Sequence, residues 1–186
     1  MRSSRVVLAA VTALLALSAC DGGGGSADAA APPPVDPVVE PAASAGGACI
    51  LWDYPFIQEK IGVAFTVAAA DQVDETSTCV VQTVTGRWPD LTLSVVESTK
   101  ADAKLFSTEL QPEKATTLKG LGKAGYRLNT AATGGHGPTV EIGWLSEAKQ
   151  LQTLRFTFAA GAKAADVTTM NTRLLDLAKA MNTTGG

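Results

Sequence analysis

The chain has 186 residues, 46% hydrophobic and 18% charged, with 15 Lys and Arg set against 18 Asp and Glu for a net charge of −3. Its basic residues are scattered, so no electrostatic footprint exists for nucleic acid or for an anionic lipid surface, and nucleic-acid binding is excluded. The length suits one domain with a real core.

In chain order, Arg2 and Arg5 open the sequence, and residues 6–17 are uncharged and apolar. A run of about a dozen residues fits the apolar part of a secretory signal and falls short of the ~20 that cross a bilayer. Leu17-Ser18-Ala19-Cys20 follows directly, and this arrangement resembles the lipobox of bacterial lipoproteins. The resemblance implies cleavage of residues 1–19 and a diacylglyceryl group, with acyl chains such as palmitate, on the sulfur of Cys20. A single acyl chain binds a membrane only marginally, whereas two or more anchor it. The expected location is therefore the cell membrane, lipid-anchored and facing the extracytoplasmic side.

Residues 20–47 read as a tether. They hold the run from Gly22 to Gly25, the triplet Pro32-Pro33-Pro34 and prolines 37 and 41, with no aromatic and no basic residue. Such a segment buries too little apolar surface to offset its ordering entropy. Without residues 1–19 the chain keeps 13 basic and 18 acidic residues, and without the tail acids Asp21, Asp28, Asp36 and Glu40 the balance is 13 to 14. A single globular domain is expected over 48–182, with 183–186 as a short tail. Cys49 and Cys79 then remain, and two cysteines in an extracytoplasmic domain most simply form one disulfide. Closing that loop stabilises by roughly 3–4 kcal/mol on the chain-entropy model. The pair lacks the C-x-x-C spacing of a redox site.

Tyr54-Pro55 opens a helical pattern, with proline at its first position, Phe56, Ile57 and Ile61 on its apolar face and Gly62 as its stop. An extended piece is expected over 63–67. Strands are predicted over 79–85 and 91–97, joined by a turn at Gly86-Arg87-Trp88-Pro89-Asp90; Leu91, Leu93 and Val95 alternate with Thr92 and Ser94. Thr99 and Asp102 suggest the start of a helix running towards Leu110 and ended by Pro112. A second hairpin, 126–131 with 139–145, surrounds the glycine-rich loop 133–138. A strand over 151–158 sets Leu154, Phe156 and Phe158 against Thr153, Arg155 and Thr157. Asp166 then opens a last helix with Val167, Met170, Leu174, Leu177, Ala178 and Met181 on one stripe. The order is α-β-β-α-β-β-β-α. Short connections demand antiparallel neighbours, so the expected class is α+β, an antiparallel sheet of about five strands with helices packed on one face.

The lipobox, the low-complexity tail, Cys49 just before the first helix, Cys79 thirty residues on and the stretch Gly120-Leu121-Gly122-Lys123-Ala124 together resemble the small Cys-pair lipoproteins of actinobacteria. The resemblance covers most of residues 48–182 and implies architecture rather than activity.

Chemical motifs give little. Gly120-Leu121-Gly122-Lys123-Ala124-Gly125 matches G-x-G-x-x-G, but it follows a helix and runs into a strand, the reverse of a dinucleotide site. Its glycines permit a tight loop instead. His136 is the only histidine, too few for a zinc site once the cysteines are committed, and reads as an exposed loop residue. No G-x-S-x-G is present, and Asp74-Glu75 reads as a solvated loop pair. No catalytic, metal or cofactor-binding residue is nominated and no enzyme is expected. Arg87 and Trp88 are the candidate partner contact, because Trp and Arg anchor interfaces and a large apolar ring in a turn is costly unless covered. Trp52 and Trp144 read as core. The function expected is a non-catalytic binding module at the cell envelope, meeting an envelope protein or a cell-wall partner. The alternative is a carrier of a lipid or other amphiphile in a pocket behind Leu154, Phe156, Phe158 and the last helix.

Overall fold

The computed structural model describes residues 39–97 and 100–184, with side chains as far as Met181. All belong to one compact unit, Pro37–Gly186. The signal segment, Cys20 and most of the tether lie outside the described residues.

Seven strands form one antiparallel sheet in the order β1-β2-β3-β7-β6-β5-β4. Their ranges are β1 Val67–Val73, β2 Thr76–Thr83, β3 Gly86–Glu97, β4 Thr116–Leu118, β5 Ala124–Thr130, β6 Thr139–Leu145 and β7 Gln150–Thr157. Two meanders, β1-β2-β3 and β4-β5-β6-β7, meet at the central β3–β7 pair, where Leu93 faces Leu154 and Leu91 faces Phe156. The class is α+β with an antiparallel sheet, as the strand spacing predicts, but the sheet has two strands more than expected. β4 has only three residues and β1 reads Val-Ala-Ala-Ala-Asp-Gln-Val. Alanine, aspartate and glutamine carry little strand signal, and main-chain pairing with β2 supplies what the side chains lack. The strand therefore starts at Val67, the last residue of the extended piece expected over 63–67.

Helix α1, Tyr54–Ile61, begins at Asp53, whose Oδ1 accepts from the Phe56 amide at 3.0 Å, and stops at Gly62 in the left-handed region at φ 77°. Glycine alone adopts that conformation at no steric cost. Helix α3, Ala164–Thr184, starts two residues before the expected cap, and Asp166 Oδ2 accepts from the Lys163 amide at 3.1 Å. Between β3 and β4 stands α2, Ala103–Leu105, continued by a π turn, Phe106–Leu110; Asp102 caps it, accepting from the Leu105 amide at 2.8 Å.

α1 and α3 share one core with the first face of the sheet, which includes Cys79, Leu91, Leu93, Ile142, Leu154 and Phe156. The expectation that every helix packs on this face is overturned. The chain must travel from the central strand β3 to the edge strand β4, and α2 with its π turn makes that crossing over the second face. There Phe106 stacks on Tyr126 (centroids 5.9 Å apart) within a smaller cluster that includes Ala101 and Leu145.

The folded body also begins before the expected Ala48. Two 3-10 turns, Ala42–Ala45 and Gly47–Leu51, pack against it, and Ala42 is 0% exposed. An alanine-rich stretch that reads as tether thus contributes Ala42 to the core. The second turn carries Cys49 to Cys79 on β2, closing the disulfide. Both cysteines are buried, and Trp52 Nε1 donates to Cys79 Sγ at 3.2 Å.

Candidate functional site

The β2–β3 turn falls at Val84-Thr85 rather than at 86–90, since Thr83 already pairs with Gly86. Arg87 and Trp88 therefore lie in the first residues of β3, not in a turn. The β2–β3 register shifts here: Gln82 pairs with Asp90, so residues 87–89 have no ladder partner. A bulged stretch is where a sheet tolerates proline. The Trp88–Pro89 peptide is cis.

The two regions that sequence treats separately, Arg87-Trp88 and the loop 133–138, come together at this end of the sheet. The Arg87 guanidinium lies 5.0 Å from the Trp88 ring centroid, and the His136 ring lies 5.2 Å from it, tilted by 56°. His136 is half-buried, not an exposed loop residue. The loop is held from below: the Gly137 amide donates to the Phe158 carbonyl at 2.8 Å, and the Phe158 amide to the Pro138 carbonyl at 3.0 Å. His136 Nδ1 sits 2.6 Å from the Gly137 carbonyl, which fixes the ring. A guanidinium over an indole face is an attractive arrangement, and Trp and Arg are the side chains that most often carry interface energy.

Beside this trio lies Asp90, only 8% exposed. Its carboxyl takes a hydrogen bond from the Thr157 side chain, while Oδ1 has no partner among the described residues. Burial holds its pKa above the usual carboxylate range; the Thr157 bond and the charges of Arg155, Arg87 and His136 oppose that shift. Register sets Asp90 in a row with Gln82, Thr157 and Thr139, and the next row on the same face holds Thr92, Arg155 and Glu141. One row further, Thr78 and Ser94 hydroxyls lie 3.3 Å apart. Tyr126 donates to Glu141 Oε1 at 2.8 Å, and burial, then the Glu141 charge, hold its phenol well above its ordinary pKa. The alternation in β3 and β7 makes this polar face legible in sequence. Its assembly across strands is not, because it depends on β3 lying beside β7.

The opposite side of the same end holds a cleft of about 540 Å³. Its floor is Ile61, Phe156, Phe158 and Met170, and Arg173 and Asp166 of α3 stand on its lips. Of the residues expected to back an apolar pocket, Leu154 and Phe156 are fully buried, while Phe156 and Phe158 with Thr169, Met170 and Arg173 of α3 line this cleft.

The G-x-G-x-x-G stretch leads into β5. Gly122, at φ 53°, passes so close to the Leu145 carbonyl that any side chain would collide with it, and the Lys123 amide donates to that carbonyl at 2.8 Å. Its glycines serve a tight loop, as the sequence context implies. Among the described residues no group of three or more His, Cys, Asp or Glu gathers, and no helix is long and apolar enough to cross a membrane. No family model matches the chain, and comparison with curated proteins and with solved structures finds no match.

Proposed function

We propose that this chain is a membrane-anchored extracytoplasmic lipoprotein whose domain is a non-catalytic binding module, meeting an envelope protein or cell-wall partner through Arg87, Trp88 and the His136 loop. The observation that carries the reading is the convergence of those three side chains from two separate segments at one end of the sheet. An indole ring with few rotatable bonds loses little entropy on binding, and a guanidinium seated near it adds directional donors, which suits the pair as anchors. The anchor rests on the lipobox at Cys20: Cys20→Ser is expected to leave the membrane fraction and to take up no labelled fatty acid.

A second reading, a carrier of a lipid or other amphiphile, is favoured by the cleft beside Phe156 and Phe158, whose volume of about 540 Å³ lies within the ~300–1,000 Å³ of small-ligand sites. Native mass spectrometry on the full-length protein, extracted from a bacterium with its own envelope lipids, separates the two. The binding module predicts the mass of the covalently lipidated protein alone. A further, non-covalent mass of small-molecule size that survives buffer exchange and is lost on denaturation overturns it in favour of the carrier.

A further inference from the structure

We propose that two copies of this chain pair through β1, antiparallel and centred on Ala70, so that their sheets join into one. The inference goes beyond the binding module and uses neither Trp88 nor its partner. β1 stands at one edge of the sheet and, among the described residues, pairs with β2 alone. An unpaired edge invites another strand unless lysine, proline, a bulge or a cover blocks it. β1 has no lysine and no proline, and its register with β2 runs unbroken from Val67 to Val73. The second 3-10 turn lies over its first face rather than along its edge: a Cβ on Gly47 would meet the Ala70 Cβ at 3.2 Å and the Ser77 hydroxyl at 3.1 Å. Seven large apolar side chains are exposed among the described residues, and six of them, Val39, Ile50, Leu51, Val67, Val73 and Val84, lie on β1 or line the grooves beside it. Such a concentration marks an interaction surface.

The sequence of β1 selects the occupant. A symmetric contact needs a patch complementary to itself, and Val-Ala-Ala-Ala-Asp-Gln-Val supplies one. Centred on Ala70, Val67 of each copy faces Val73 of the other, Ala68 faces Gln72, and Asp71 faces Ala69. Moving the centre to Asp71 would set two carboxylates directly opposite each other, which is destabilising. The same pairing carries Ile50 and Leu51, beside Gln72, towards the groove beside Ala68 of the second copy. That groove has a volume of about 590 Å³, and its walls include Val39, Pro41, Tyr54, Val67 and Val84. Opposite residues of paired strands share a face, so the first faces of both copies lie on one side. The described chain enters at Val39 and packs Ala42 into the core of that face. Both copies therefore meet their tethers on the same side, as two anchors in one membrane require.

The test uses the full-length protein in bacterial membranes. Two differently tagged copies, Val67→Cys and Val73→Cys, are co-expressed and treated with a short bismaleimide. Both positions are exposed, and Cys49 and Cys79 are closed in their disulfide. In the proposed register, position 67 lies ~5 Å from position 73 of the second copy and roughly 20 Å from its position 67. The mixed adduct should therefore exceed the adduct of either variant expressed alone about ten-fold. Opposite charges at one exposed position then give opposite signs. Ala69→Lys faces Asp71 of the second copy and should tighten the dimer about five-fold, whereas Ala69→Asp should weaken it about as much, read by sedimentation in density-matched detergent. A general loss of folding cannot produce that reversal. In native mass spectrometry the pair has twice the protomer mass, which no bound amphiphile mimics. No excess of the mixed adduct, or an equal response to Ala69→Lys and Ala69→Asp, overturns the pairing. A different protein captured at both 67 and 73 overturns the second copy as the occupant of this edge.

Discussion

On the first face of the sheet, Leu91, Leu93, Ile142, Leu154 and Phe156 lie fully buried beneath α1 and α3, while alternate residues of the same strands, Asp90, Thr92, Glu141, Thr153 and Arg155, line the second. The strands and their main-chain hydrogen bonds are common to both faces, so the contrast is one of side chains and cover. One face holds the larger core and the disulfide. The other is covered by α2 and its π turn around Tyr126 and Leu145, and elsewhere it carries hydroxyls, the exposed Arg155 guanidinium and the buried Asp90 carboxyl among its side chains. Stability is concentrated where the helices are, which leaves the polar face and its Trp88 end free to be shaped by contact rather than by folding.

Substitutions at paired positions break or sharpen that contrast. The largest effect is expected at Phe156→Ala, about 4 kcal/mol lost in denaturant unfolding from a side chain wholly inside the main core. Thr153→Ala, on the same strand but the second face, removes a side-chain hydrogen bond to Tyr126 and should cost about 1 kcal/mol; a loss comparable to that at Phe156 would mean the second face is as tightly built as the first. Next comes the disulfide. Cys49→Ser paired with Cys79→Ser opens a cross-link across 30 residues and should cost about 3–4 kcal/mol, and thiol counting on the denatured, unreduced protein should find neither cysteine free.

A smaller and differently signed effect is expected at Asp90. Its folded-state pKa is raised by burial, so the folded protein holds that proton more tightly than the unfolded chain. The resulting stabilisation is fully present below the ordinary carboxylate pKa and is lost as pH rises through the raised value. Asp90→Asn should remove this loss and be the more stable form at neutral pH. Melting temperatures of the two proteins compared from pH 3 to 7 should therefore diverge in favour of the variant as pH rises; curves that stay parallel would show that Asp90 does not titrate differently on folding. Smallest in stability is Trp88→Ala, about 1 kcal/mol or less for a half-buried ring at the end of the sheet.

Much of the first face was legible in the sequence. The alternation Leu91-Leu93-Val95 and Leu154-Phe156-Phe158, the proline-started α1 and the stripe from Met170 to Met181 each carry a period set by burial on one side. What was not legible depends on pairing between distant segments. β1 has no side-chain pattern of its own, β4 is three residues long, and the path of α2 over the second face follows from β4 lying at the far edge. Trp88 is the sharpest instance: its neighbours suggest a turn, because Gly86 and Pro89 flank it, yet it lies in the bulged first residues of β3 and the fold brings His136 to it. Arg87 and Trp88 could be singled out by residue type alone, whereas Asp90 and Arg155 could not, since their proximity exists only once β3 and β7 are adjacent.

The most direct test of a binding module working through this end of the sheet is in situ photo-crosslinking of the full-length protein in its native membrane. A photoreactive residue is placed at Thr85, exposed in the β2–β3 turn at the Trp88 end of the sheet, and in a second protein at Glu147, exposed in the β6–β7 turn at the opposite end of the same sheet. The account predicts one discrete protein or cell-wall adduct from position 85, none of that mass from position 147, and its loss when Trp88→Ala is combined with the probe at 85. The same adduct from both positions, or an adduct at 85 that survives loss of the indole, would contradict it.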